Sequence, residues 1–408
     1  MIDQRSINWG YFELLSSPPT TEPLFPNLRD LHCQYNQNTM SWLNLPLPSL
    51  TFLHVVFENP KLLQASLNSF PKFSRNIRRL FLPLKDDLKF GRIEPDYVYH
   101  LLNLSSVVAR HFPLDMDDLV HLSLEFELSA TLPCSDSPLS FSNLRHLRLS
   151  SKSLKQISQL LPQVRLPAIT DFQTWIDDCP YRKELASFLA SVLISNAGHI
   201  IKDLWLMQLY RWSSDIRSEA VQLGLEDLQP CMSFNNLRYL VLDVKCNVCL
   251  TDSELLTVTS AWPKLERLQI NTYWGWNSQH GITPRGLVRL WQTCPLLSHI
   301  DLRLDTRGYT EVSPSETRES LRVALTFPPT VRISVVDAAI EAESVPAVIT
   351  FFRGIAACLE SRFWLSYWGN RVTGHQFQNA KEYVERWDEV RARVYGPRVY
   401  HSDFPREW

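Results

Sequence analysis

The feature that most constrains this chain is a short leucine-rich phrase that recurs along it. Residues 27–32, 143–149, 236–242 and 264–270 share the pattern Leu-x-x-Leu-x-Leu, with other apolar residues at some positions. The second and third apolar residues are two apart, so both side chains lie on one face of a β-strand. One such strand cannot bury its apolar face alone, and neighbouring copies must therefore stack into a parallel sheet.

Alignment on the first apolar residue of the phrase gives the candidate copies. Repeats of this leucine-rich type are about 20–29 residues long, so the longer spacing in the second half predicts enlarged units. The copies at Leu104 and Ile169 are weak, because Val107 and Phe172 occupy their second position. The copies begin at Leu28, Leu50, Ile77, Leu104, Leu119, Leu144, Ile169, Ile201, Leu237, Leu265, Leu297 and Val331.

Helix signals follow several of the predicted strands. Residues 251–254 and 313–316 are capping boxes, and Thr283-Pro284 is typical of a helix start. Residues 181–196 carry an apolar stripe at helical spacing, and Trp262-Pro263 ends the first of these helices. A strand followed by a returning helix predicts an α/β leucine-rich-repeat solenoid, a horseshoe with its parallel sheet on the concave face.

The end of the chain differs from the repeats. Residues 343–361 and 374–394 are predicted helices, and we expect no strand between them. Terminal repeats need a cover, so these helices predict a cap. The domain organisation is therefore a lead-in at 1–23, the solenoid at 24–340, and a C-terminal helical cap and tail at 341–408.

Composition excludes several classes of function. The net charge is -2 and no basic stripe is visible, so nucleic acid is not an expected partner. No apolar run approaches the roughly 20 residues of a membrane span. Eight cysteines without a secretory signal favour a reduced compartment, cytoplasmic or nuclear. Nucleophile elbows, phosphate loops and metallopeptidase helices are missing from the sequence, which predicts a protein that is not an enzyme and uses no cofactor.

Four blocks carry a family resemblance. Residues 250–268, 281–297, 24–29 and 383–390 resemble the leucine-rich repeats of fungal F-box proteins, and the likeness extends from about 24 to 390. It implies a non-catalytic scaffold that recognises a protein substrate for a ubiquitin ligase. In that family an F-box binds the adaptor of a cullin ligase. Residues 1–23 are too short for an F-box, so adaptor binding is expected only if one is encoded upstream.

Two alternatives stay open beside the ligase interpretation. The chain is compatible with a stand-alone leucine-rich-repeat scaffold that has no ligase link. It is also compatible with a repeat-based regulator of an enzyme such as a GTPase. That second class requires an arginine on a loop, and Arg211 and Arg307 are the candidates.

Residues beside the strand leucines are expected to face the concave side and to bind the partner protein. Trp, Tyr and Arg are common anchors of such surfaces. The alternatives are a solvated face, and aromatic side chains folded over the edge of a repeat. The predicted partner-binding residues are Trp205, Tyr239, Asp243, Arg267, Gln269, Asp301 and Arg303 on the strands, and Tyr273, Trp274 and Trp276 at the rim.

Two patterns are weaker candidates for metal binding. Cys246 and Cys249 have the spacing of half a zinc site, but no second pair exists, so we interpret them as ordinary thiols. His121 and His146 occupy the same position of two copies. If those copies stack directly, their imidazoles lie one strand spacing apart, about 4.8 Å. A two-histidine metal site or a pH-sensitive pair would follow, but without a third ligand we predict no metal.

Overall fold

The protein is an α/β structure with a large parallel sheet, which confirms the predicted class. A computed structural model describes residues 25–35, 47–57, 77–82, 120–126, 139–181, 183–195, 200–209, 222–272, 274, 276, 281–309, 330–336, 338–359, 362–368 and 380–395. The chain divides into two compact units. Unit 1 comprises residues 1–178, 187–201 and 209–211, and unit 2 comprises 179–186, 202–208 and 212–408.

Unit 1 contains six parallel strands that pair in chain order. They are β1 (Asp30–Tyr35), β2 (Phe52–Phe57), β3 (Arg79–Leu82), β4 (His121–Phe126), β6 (His146–Ser151) and β8 (Asp171–Ile176). A separate two-stranded sheet joins β5 (Leu139–Ser140) to β7 (Val164–Arg165). Helix α1 (Leu154–Leu160) follows β6, and α2 (Glu184–Ser195) belongs to unit 1 from Ser187 onward.

The strands of unit 1 pair in the register of the leucine phrase. The second apolar residue of each copy lies opposite that of the next, which places these residues in one column. The Ile169 copy is therefore a true member, while the Leu104 copy and Leu119 lie outside the described residues. The column consists of Leu31, Leu53, Leu80, Leu122, Leu147 and Phe172.

Unit 2 repeats this arrangement. Its strands are β9 (Asp203–Gln208), β11 (Tyr239–Asp243), β13 (Arg267–Ile270), β14 (His299–Leu302), β15 (Val331–Val336) and β16 (Phe363–Trp368), with a small sheet of β10 (Gln222–Leu223) and β12 (Asn247–Val248). The column of second apolar residues is Leu204, Leu240, Leu268, Ile300, Ile333 and Leu365. Because Ile333 lies opposite Ile300, the copy aligned on Val331 begins one residue earlier, which corrects that alignment.

The helix signals in unit 2 are confirmed where the structure describes them. Thr251 caps α4 (Asp252–Thr259): its hydroxyl accepts the Glu254 N–H at 3.3 Å, and the Glu254 carboxylate accepts the Thr251 N–H at 2.9 Å. Thr283 caps α5 (Pro284–Thr293) by accepting the Gly286 N–H at 3.0 Å. Helix α3 (Leu225–Leu228) is a single turn. The box at 313–316 lies outside the described residues.

The expectation that no strand separates the two C-terminal helices is wrong. Strand β16 lies between α6 (Val345–Leu359) and α7 (Ala380–Tyr395) and pairs with β15. The phrase gave no signal for it, because Arg362 stands where the first leucine would be. Its buried pair is Phe363 and Leu365.

The C-terminal core centres on Trp387 of α7, which is fully buried. Its indole N–H donates to the Ala338 carbonyl at 2.9 Å, and its ring stacks on Tyr367 of β16 at 5.8 Å between centroids. The region 341–408 is thus more than a pair of covering helices, because it adds a strand to the sheet.

Tyr395 at the end of α7 contacts the outer side of β16. Its hydroxyl accepts the Leu365 N–H and donates to the Phe363 carbonyl at 3.4 Å. Burial raises the pKa of this phenol to about 12, so it stays a neutral donor at ordinary pH. Among the described strands, β16 has β15 as its one partner.

One helical segment of the described chain, Ala342–Leu359, is long and apolar enough to cross a membrane by length and composition. The core helix of a folded domain meets the same two conditions. Its residues Val348, Phe352 and Ile355 are buried within unit 2. The Phe352 ring lies 6.1 Å from those of Phe363 and Trp387, so packing of this stripe accounts for the apolar composition.

Candidate functional site

In each unit, the column of second apolar residues lies on one side of the sheet. We call the opposite side of that sheet the polar face. On the polar face of unit 2, six residues in direct register form what we call the charged row. It crosses all six strands and mixes aromatic with charged side chains. The charged row consists of Asp203, Tyr239, Arg267, His299, Arg332 and Trp364.

The charged row reaches solvent at its β15–β16 end. Arg332 is exposed, and Trp364 beside it keeps 48% of its surface accessible. The other four residues are half-buried. Trp and Arg are among the residue types most enriched at the energetic centres of protein interfaces.

A hydrogen-bonded cluster holds the middle of the charged row in place. Glu266, just before β13, accepts from the Arg238 guanidinium at 2.7 Å and from the Tyr239 hydroxyl at 3.0 Å. The hydrogen bond from Arg238 is the main reason that the pKa of Glu266 lies below its usual value. Tyr239 is thereby fixed in orientation while part of its ring remains accessible.

Arg267 of the charged row contacts two side chains outside that row, Trp205 and Gln269. Its guanidinium lies 5.4 Å from the Trp205 ring centroid and donates to the Gln269 side-chain oxygen at 2.9 Å. Burial lowers the pKa of His299, and the positive charges of Arg267 and Arg332 lower it further. The imidazole is therefore neutral at pH 7 and adds no charge between the two arginines.

The next row towards the strand ends, which we call the central row, is largely buried. Burial raises the pKa of Asp301, while a hydrogen bond with Ser334 and the charges of Arg267 and Arg332 oppose that rise. The Ser366 hydroxyl donates to that of Ser334 at 3.0 Å. These contacts hold adjacent strands together. The central row is Trp205, Val241, Gln269, Asp301, Ser334 and Ser366.

Four of the predicted partner-binding residues are half-buried on the polar face of unit 2. They are Trp205, Tyr239, Arg267 and Asp301. Their part in binding stays a prediction.

Three predicted strand residues are buried, and the expectation that they are exposed is wrong. Asp243 is 1% exposed, Gln269 2% and Arg303 4%. The reason is visible in β11, where Leu240 and Val241 point to opposite faces and both are fully buried. The polar face is therefore covered towards the carboxyl ends of the strands and accessible near their amino ends.

The rim aromatics also differ from the prediction. Trp276 is fully buried, donates its indole N–H to the Ile270 carbonyl at 2.9 Å, and accepts the Val248 N–H on its own carbonyl at 2.9 Å. Trp274 is 6% exposed, with the Lys245 ammonium 5.9 Å from its ring centroid. Both tryptophans are buried, so the expectation that they are exposed rim anchors is wrong. Tyr273 lies outside the described residues.

Sequence reasoning missed Arg332 and Trp364. Trp364 belongs to β16, which was not predicted, and Arg332 lies in the copy whose alignment was one residue late. The available signal was the alternation of residues 363–367, in which Phe363, Leu365 and Tyr367 share one side of a strand.

Both cysteines of the predicted half-site, Cys246 and Cys249, are free thiols, and Cys246 is the buried one. Its thiol is buried and accepts from the Asn271 side-chain nitrogen at 3.3 Å, and burial raises its pKa to about 12. Asn271 adopts a left-handed conformation with φ 50, which lets its side chain also accept the Val244 N–H at 3.1 Å. Among the described residues no group of three or more His, Cys, Asp and Glu could hold a metal ion.

The predicted histidine pair exists. His121 and His146 lie opposite each other in unit 1, with parallel rings 3.9 Å apart between centroids. Burial lowers the pKa of His121 to about 4, and the nearby charges of His146 and Arg79 contribute. The His146 ring nitrogen lies 3.2 Å from an Asp171 oxygen.

No family model matches the chain, and no curated protein matches it either.

Proposed function

We propose that the chain is a leucine-rich-repeat solenoid and a non-catalytic scaffold whose polar face in unit 2 binds a protein partner. The solenoid interpretation is supported by the strand pairing: successive copies of the phrase are adjacent, parallel and in register within each unit. Repeats of this kind bury their apolar sides against each other, and side chains beside the leucines remain available for binding.

The observation that carries this proposal is the accessible end of the charged row. Arg332 and Trp364 are adjacent and exposed, and they share the polar face with the hydrogen-bonded Tyr239–Glu266 cluster, which lies three strands from Arg332. Trp, Tyr and Arg dominate the energetics of protein–protein interfaces, because they bury large surfaces and can hydrogen-bond at their tips. A rigid surface of this composition loses little conformational freedom when a partner binds.

The ligase part of the proposal rests on the resemblance to fungal F-box proteins. In that interpretation the captured partner is a substrate that other subunits ubiquitylate, and the cullin-ligase adaptor is contacted only through an F-box. The alternative without a ligase link uses the same surface. Direct binding of purified adaptor distinguishes the two: retention of the adaptor supports the ligase role, and its absence with partner binding intact supports a stand-alone scaffold.

The rival role as a GTPase regulator is less well supported. Arg211 lies outside the described residues. Arg307 is held by its own loop, because its guanidinium donates to both carboxylate oxygens of Asp305 at 2.9 and 2.8 Å. Burial alone would raise the pKa of Asp305, yet the hydrogen bonds from Arg307 lower it. An arginine bound in this way must break two charge-assisted hydrogen bonds before it can reach another protein.

The test is quantitative affinity capture with the full chain and two double variants. The first carries Arg332→Glu and Trp364→Ala. The second is a control with the same kinds of change at exposed sites away from the polar face, Arg289→Glu on α5 and Tyr181→Ala before α2. We expect the wild type and the control to recover the same partners, and the first variant to recover them at least about tenfold less.

Thermal unfolding keeps this experiment interpretable. All four substituted side chains are exposed, so both variants should unfold within a few degrees of the wild type. Undiminished capture by the Arg332→Glu, Trp364→Ala variant, at unchanged stability, would remove the charged row from the proposal.

A further inference from the structure

The polar face of unit 1 carries an excess of positive charge on its middle strands. Arg79 of β3 and Arg148 of β6 lie on this face, and Arg78 and Arg145 directly precede the same two strands; all four are exposed. His121 of β4 stands between them. In the register row that contains Arg79, His121 and His146, the carboxylates are Asp30 on β1 and Asp171 on β8, at its two margins.

Two of these arginines are held by aromatic rings. The Arg148 guanidinium lies 3.7 Å from the Trp175 ring centroid, and that of Arg79 lies 4.5 Å from the Phe52 centroid. Stacking on a ring fixes the orientation of a guanidinium before a ligand arrives. Arg79 also lies 3.5 Å from Asp30, an exposed and therefore weak pair.

Arg78 and Arg145 lie in a line with Arg29 along the amino ends of the strands, and we call these three arginines the basic row. Arg29, Arg78 and Arg145 precede β1, β3 and β6, which are separated by β2 and β4. Backbone hydrogen bonds join them through the residues between: Arg78 N–H to the Thr51 carbonyl, and Thr51 N–H to the Arg29 carbonyl. All three are exposed and form no ion pair with a described residue.

The spacing of the basic row suits a particular chain geometry. Arginines on alternate strands are about 9.6 Å apart along the sheet, twice the spacing of roughly 4.8 Å between neighbouring strands. A polyproline II chain rises about 3.1 Å per residue with three residues per turn, so it returns a side chain to the same side about every 9.3 Å. Every third residue of such a segment would therefore face a successive arginine.

We propose that the polar face of unit 1 binds an extended acidic protein segment with a carboxylate at every third residue. The exposed arginines supply the complementary charge, and the marginal Asp30 and Asp171 disfavour a ligand with a continuous run of phosphates. This surface lies in unit 1 and goes beyond the proposed function, whose experiment changes residues of unit 2 alone. Either surface can therefore fail its test while the other passes.

A pH dependence follows from the histidines on this face. His121 faces Arg79 of β3 and His146 of β6, and His146 faces Asp171 of β8. Burial is the main reason that His121 disfavours a proton, and the positive charges of His146 and Arg79 add to it, so a bound carboxylate near the ring favours protonation. Binding then raises the pKa of His121 from about 4, so affinity rises as pH falls from about 6 towards 5, above the pH at which the glutamates of the peptide become protonated. Replacing His121 by glutamine should abolish this rise.

The experiment is fluorescence anisotropy with the full chain and labelled peptides. The test peptide has four copies of Glu-Pro-Pro, and three probes serve for comparison: a peptide of the same composition with its glutamates adjacent, a Lys-Pro-Pro peptide, and an oligothymidine of equal charge. The test variant is Arg29→Gln, Arg78→Gln, Arg145→Gln. Its matched control removes three other exposed arginines, Arg165→Gln, Arg285→Gln, Arg289→Gln.

We expect the wild type and the control to bind the Glu-Pro-Pro peptide equally, with salt weakening both. The test variant should bind about tenfold less tightly, because three exposed ion pairs together contribute roughly that factor. The proposal is overturned if the Glu-Pro-Pro peptide does not bind, or if the clustered peptide or the oligothymidine binds as tightly. An equal loss in the control variant would also overturn it, since net charge alone would then explain binding.

Discussion

Replacing Trp276 by alanine tests whether the aromatic segment after β13 is core or binding surface. The side chain is fully buried and its indole N–H is bonded to the Ile270 carbonyl. Burial of about 150–250 Å² at roughly 25 cal/mol per Å² is worth about 4–6 kcal/mol. Measured losses for buried Trp or Phe to Ala are about 3–5 kcal/mol. We expect the free energy of unfolding to fall by about 4 kcal/mol.

Urea unfolding followed by far-UV circular dichroism measures this loss. Trp276→Phe keeps most of the buried surface but leaves the Ile270 carbonyl without its donor, so its cost should be about 1–2 kcal/mol. Trp364→Ala is the matched change at an exposed tryptophan and should stay within about 0.5 kcal/mol of the wild type. A Trp276→Ala protein that unfolds like the wild type but captures less partner would refute the reasoning and restore Trp276 as a rim anchor.

Three further predictions concern stability. For His121, whose pKa falls from 6.5 to about 4 on folding, the neutral ring stabilises the fold above pH 6.5 and that stability is lost towards pH 4. The ring is partly exposed, so we expect an effect of about 1 kcal/mol on the free energy of unfolding. Between pH 6.5 and pH 4 the urea midpoint of His121→Gln should therefore fall less than that of the wild type. Parallel curves of urea midpoint against pH for the two proteins would contradict this prediction. Thr251→Ala removes the cap of α4 and should cost about 1 kcal/mol in the same assay, whereas no change would mean that Glu254 alone suffices. Gly286→Ala would place its Cβ 2.1 Å from the Asp252 carboxylate, which accepts the Thr283 N–H at 2.9 Å. Although alanine has the better helix propensity, this substitution should lower the free energy of unfolding by about 1–2 kcal/mol. A more stable variant would show that Asp252 moves freely.

The parts of the fold that could be predicted are those dictated by local chemistry. The leucine phrase fixes both the direction of each strand and its register, because a slip of one residue would turn the leucines away from the core. Capping residues such as Thr251 and Thr283 act within one helical turn, so their signal is contained in a few residues of sequence.

The burial of Asp243 and Arg303 depends on what covers the polar face, and the phrase carries no information about that cover. One clue was present in β11, where residues 239–244 are almost continuously apolar. Strands buried on both faces show such continuous runs rather than alternation. The alternation in β16 was likewise readable, but it uses Phe and Trp and does not match the leucine pattern.

The contact between Tyr395 and β16 has a consequence for how copies of this chain behave towards one another. A strand with one neighbour presents unpaired backbone groups that can template growth by another chain. The Tyr395 hydroxyl occupies two of these groups on β16, at Leu365 and Phe363. Among the described residues, detachment of α7 leaves these two groups unpaired, and an unpaired edge of this kind favours polymerisation. A single phenol at the end of a helix therefore lowers the tendency of copies of the chain to aggregate.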